Sequence, residues 1–157
     1  MARVRAGGEA PHPAPPVAQR IRVRFAKRGR LRFLSHRDVA RSLERAIRRA
    51  GLPVAYSQGF SPHPRLSWVG AAPTGAASEA EYVEIGLVSP VDPAEFARKL
   101  DAALPPGLDV LAAAVADDPP LAERINASAW RIELPGVSPA TARHAVEALL
   151  ATETLTV

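Results

Sequence analysis

Cysteine is absent from the 157 residues. The chain alone therefore forms no disulfide, no thiolate-ligated zinc site and no cysteine-held iron–sulfur cluster. This agrees with a reducing, cytoplasmic setting. No run of about 18 apolar residues occurs, so no segment reads as a membrane-spanning helix. The opening MARVRAGGEAPHPAPPVAQ lacks the continuous apolar stretch of a signal peptide. Its Ala/Pro/Gly bias predicts a disordered leader over residues 1–19. PTGAA lacks the lysine and spacing of a phosphate-binding loop, and no Gly-x-Ser-x-Gly elbow is present. No His/Asp/Glu spacing matches a metal ligand set. Neither a metal nor a cofactor is expected on this chain.

Acidic residues are scarce in the first half. Residues 1–65 hold 15 Lys/Arg against 3 Asp/Glu, a net +12, while residues 66–157 hold 5 against 13, a net −8. The formal +4 of the whole chain hides this gradient. A half so basic suits a polyanion, and the acidic half offers the competing explanation that it neutralises the first.

The pattern of residues predicts the elements. RIRVRFA alternates Ile21, Val23 and Phe25 with Arg20, Arg22 and Arg24, the period of a half-buried strand. LRFL, after a KRGR turn, reads as a short extended piece. Ser35 opens a helix that closes at Gly51, with Pro53 beyond. On a helical wheel Val39, Leu43, Ala46, Ile47 and Ala50 form a core stripe. Arg37, Arg41, Arg45 and Arg48 form a second stripe on roughly the opposite side. Glu44 is placed to compensate Arg48.

RLSWVGA and EYVEIGLVS read as strands. Asp92-Pro93-Ala94-Glu95 starts a helix, and LDVLAAAVA closes the series. The order β-α-β-β-α-β over residues 20–116 predicts an α+β, ferredoxin-like unit. Residues 117–127 read as a linker. WRIELPG, a helix from Ser138 and TLTV then predict a partial second unit of the same kind over 128–157, which stops in mid-strand and reads as a fragment.

AYSQGFSPHPRLS, residues 55–67, fits neither helix nor strand. Pro62 and Pro64 fix backbone angles and Gly59 frees another, so the segment reads as a shaped loop that presents side chains. Tyr56, Gln58, Phe60 and His63 would stack on and hydrogen-bond to an unpaired base, with Arg65 on a phosphate. Arg22, Arg24, Arg37, Arg41, Arg45 and Arg48 would hold further phosphates. His36, in FLSHRD, is a catalytic candidate for metal-free RNA strand cleavage with His63 as partner. The bland alternatives are a histidine packed at a helix start, a stiffened turn and a buried Phe60. His12 and His144 read as bystanders.

Four motifs carry a family resemblance: Lys27–Asp38 (KRGRLRFLSHRD), Arg48–Pro53 (RRAGLP), Tyr56–Pro64 (YSQGFSPHP) and Ser78–Tyr82 (SEAEY). Together they resemble the bacterial radical-SAM-linked domain of unknown function. The resemblance implies a partner that is a radical S-adenosylmethionine protein, which would carry any cluster or S-adenosylmethionine itself. The layout also looks like that of repeat-processing RNA endonucleases built from two ferredoxin-like units. The expectation is an RNA-binding accessory domain, more a binding module than an enzyme, in the cytoplasm. A metal-independent endoribonuclease using His36 and a protein–protein adaptor without RNA binding are the alternatives.

Overall fold

The alternating residues of the first segment form β1 (Gln19–Lys27) in a computed structural model that describes residues 15–154. Ile21, Val23 and Phe25 face inward and are buried, while Arg20 and Arg24 are exposed. A 3-10 turn, Gly29–Phe33, follows where the sequence suggested an extended piece. Gly29 there adopts φ +56, a left-handed angle that lets the chain turn tightly after β1.

Helix α1 (His36–Arg49) begins at the predicted cap: Ser35 Oγ accepts from the Asp38 amide at 3.2 Å. It ends at Gly51 (φ +61), with the Leu52 amide returning to the Ile47 carbonyl at 3.3 Å. β2 (Leu66–Val69) and β3 (Ser78–Leu87) follow, then α2 (Pro93–Ala103), capped by Asp92. β4 (Val110–Val115) completes the sheet.

The strands lie in the order β2-β3-β1-β4 and every pairing is antiparallel. Val39, Leu43, Ala46 and Ile47 of α1 and Phe96 and Leu100 of α2 close over the buried side of the sheet in one core. The helices therefore cover one face. The other face carries Arg20, Arg22 and Arg24 of β1 beside Glu84 and Gly86 of β3.

The first compact unit runs to Arg124, beyond the predicted boundary at residue 116. Part of the expected linker is ordered as α3 (Leu121–Arg124), because Leu121 is an apolar side chain that becomes buried. The second unit, Ile125–Val157, holds helix α4 (Pro139–Leu150), which Ser138 caps by accepting from the Thr141 amide. The strand expected at WRIELPG is not formed. Trp130, Ile132 and Leu134 alternate as a strand would, but they are exposed and no neighbouring strand pairs with them among the described residues. Of the final TLTV strand, residues 155–157 lie outside the described residues, as do residues 1–14 of the expected leader.

Candidate nucleic-acid interface

The basic residues divide between the two sides of the sheet. Arg22 lies on the open face and is spent there. Its guanidinium pairs with Glu84 at 2.7 Å and with Asp117 at 3.2 Å, and its side chain is 14% exposed. Arg28 is likewise held by Glu79 at 2.6 Å, with Asp109 at 3.6 Å. Carboxylates of the acidic second half thus take up Arg22 and Arg28, the residue that follows β1. Arg24 and Arg65 are exposed. Arg65 sits beside Arg20 across Gly86, where the three residues line an open groove of about 260 Å³ with Val17, Leu66 and Ser67.

α1 is different. The core stripe turns inward, so Arg37, Arg41, Arg45 and Arg48 all point into solvent along the full length of the helix. Arg41 has Asp38 at 3.8 Å, and Arg45 donates to Ser42 Oγ at 3.0 Å. Among the described residues no carboxylate lies within ion-pairing distance of Arg37, Arg45 or Arg48. The compensation of Arg48 by Glu44 does not form an ion pair, because both side chains have water as an alternative and a surface pair gains little. Arg49 turns aside to the Ala103 carbonyl at 3.2 Å.

The 55–67 segment is a loop closed at its neck. Tyr56 bridges Pro64, the Ser57 amide donates to the His63 carbonyl at 2.8 Å, and the His63 amide donates to Ser57 Oγ at 3.0 Å. Gly59 at the tip has φ +121, which any other residue would occupy under strain. Tyr56 is half-buried against the core, whereas Gln58 and His63 are exposed. Phe60 is 92% exposed. A phenylalanine held there on a closed loop has no partner in its own core.

His36 and His63 are not brought together. His36 packs edge-on against Trp68 at 4.9 Å, and Trp68 in turn meets Phe25 at 6.2 Å. His63 lies on the closed loop, three residues before the start of β2, and makes no ring contact with His36 among the described residues. An acid–base pair across one phosphate needs both groups within hydrogen-bond reach of it. Among the described residues no group of three or more potential metal ligands exists, and no helix is long and apolar enough to cross a membrane.

Sequence reasoning placed Lys27 in a KRGR turn and missed its role in the fold. This lysine is 1% exposed, and its ammonium donates to the carbonyls of Ala72 at 2.9 Å and Pro73 at 3.3 Å. Buried Glu81 accepts from the Ala72 amide at 3.2 Å. The two charged ends do not pair directly; they hold the 70–77 loop through the amide and the carbonyl of one residue, Ala72. The signal was present in the pattern, since Lys27 follows the inward-facing Phe25 by two positions.

Residues 20–157 match the model of a bacterial family described as an uncharacterized conserved protein, DUF2344. The chain belongs to that family. The DUF2344 description names no reaction, ligand or partner, and nothing in it links the family to radical S-adenosylmethionine chemistry. No curated protein and no solved structure matches the chain.

Proposed function

We propose that this DUF2344 protein is an RNA-binding accessory domain that lays a phosphate backbone along α1. The observation that carries this reading is the row of four exposed guanidinium groups, of which, among the described residues, only Arg41 has a carboxylate within ion-pairing distance. Like charges four residues apart weaken a helix by a few tenths of a kcal/mol per pair, and phosphates would relieve that repulsion. The closed loop bearing Phe60, Gln58 and His63 supplies groups that stack on and hydrogen-bond to an unpaired base. Arg22 drops out of the contact set, because phosphate would have to compete with Glu84 and Asp117. Arg24 and Arg65, on the opposite face of the sheet, would belong to a separate contact.

The strand order β2-β3-β1-β4 within β-α-β-β-α-β supports a ferredoxin-like reading of the first unit. A radical S-adenosylmethionine protein as the partner rests on the four motifs and on the missing cysteines, which leave cluster chemistry to another chain. The proposed setting is the cytoplasm, with which the same composition agrees.

Titration of a single-stranded RNA against rising salt tests the reading. Four phosphate contacts give a slope of log affinity against log salt of about −3. Arg41→Glu with Arg45→Glu should weaken binding by more than ten-fold with an unchanged circular dichroism spectrum. Absence of measurable affinity at low salt refutes RNA binding and returns the stripe to an acidic protein partner.

A further inference from the structure

The turn between β1 and α1 is built to hold an exposed aromatic ring, and the interface described above does not use it. Leu31 and Leu34 pack against the core and fix the Gly29–Phe33 turn, yet no residue of the turn is fully buried. Arg30, Arg32 and Phe33 project outward, Phe33 with 58% of its surface free. The Arg32 guanidinium lies over the Phe33 ring, 4.7 Å from its centre. The 70–77 loop braces the arrangement from behind: the Gly75 amide donates to the Arg32 carbonyl at 2.8 Å, and Gly75, at φ +94, lies beside the Phe33 ring. That loop is itself the one clamped by buried Lys27 and Glu81. Two charges are thus taken out of water to hold a loop whose outward neighbour is an unburied ring. Burying charge is costly, and a core-forming role would not leave the ring exposed.

We infer that the Arg32–Phe33 pair is a stacking platform for an unpaired RNA base at the N-terminal end of the α1 arginine stripe. This rests on the RNA-binding reading above. A guanidinium held over an aromatic ring offers a cationic stacking surface to a base, and Arg30 and Arg37 flank it in sequence for the adjoining phosphates. A strand held by the stripe would therefore have one base immobilised at this end. The Phe60 loop lies at the opposite end of the sheet.

The test is fluorescence anisotropy of labelled oligouridylate with the full chain and three variants. Phe33→Ala should lose about ten-fold in affinity, the scale of one stacked base. Its salt slope should stay at the parent value, because no phosphate contact is removed. Phe33→Trp should retain or improve binding. Arg41→Glu with Arg45→Glu should instead flatten the slope. Photocrosslinking with 5-iodouridine should label the peptide containing Phe33. If Phe33→Ala binds within two-fold of the parent while the double arginine variant fails, the platform is wrong and RNA binding along α1 stands. If the parent binds no RNA, both fall together.

Discussion

Lys27 carries a charge that the fold keeps for its own use. Lys27→Met preserves the aliphatic stem and removes the ammonium, leaving the Ala72 and Pro73 carbonyls without their donor. Hydrogen bonds to a charged group are each worth about 1.5–3 kcal/mol, so a loss of about 3 kcal/mol is expected by urea denaturation. Faster amide exchange at Ala72 and Gly75 should accompany it, since those amides report the 70–77 loop directly. At Ser35 the balance is smaller and depends on pH. The Ser35 hydroxyl donates to the Asp38 carboxylate at 2.6 Å and, with Arg41 and Arg37 nearby, holds its pKa below the usual value. A carboxylate depressed in the folded state adds stability above its unfolded pKa of about 3.9, and that contribution disappears as the pH falls through the lower folded value. Ser35→Ala should cost about 1 kcal/mol through the lost cap. An NMR titration of the variant should show the Asp38 pKa moving back up.

Between elements, the useful contrast is between two arginines that look alike in sequence. Arg22 sits on β1 between two carboxylates, and Arg45 sits on α1 with only a serine hydroxyl. Arg22→Ala would leave the mostly buried Glu84 unpaired. An exposed pair is worth below 1 kcal/mol and breaking a buried one costs 3–5, so about 2 kcal/mol of stability should be lost here. RNA affinity should barely change. Arg45→Glu should show the reverse, near-parental stability with weakened binding, and thermal melts beside anisotropy separate the two. Periodicity alone places both side chains away from the core, and it did so correctly. It says nothing about which strand lies beside them, because the register that sets Arg22 opposite Glu84 links residues 62 apart. The caps at Ser35, Gly51 and Asp92 were legible for the opposite reason: each is a contact within a few residues. WRIELPG shows the same limit from another side. Its alternation is that of a strand, but a strand exists only where another pairs with it.

Across the whole molecule, folding is concentrated in the first unit. Every buried residue among those described lies between Ile21 and Leu121, while residues 125–154 contain none. Apolar burial is the main source of stability, about 25 cal/mol per Å² removed from water. The second unit leaves Trp130, Ile132, Leu134 and Leu150 more than half exposed, so it contributes little by this route. A chain ending at Arg124 should therefore melt within a few degrees of the full chain by differential scanning calorimetry, since a loss of even 1 kcal/mol moves the midpoint by about 4–8 °C in a domain of this size. The same truncation separates folding from electrostatics. Arg41 and Arg45 and their surroundings belong to the retained part, so RNA affinity and its salt slope should persist. A collapse of the melting temperature would mean that the later segment completes the core in solution. Persistence of the fold with loss of binding would move the RNA contact to residues 125–157 and away from α1.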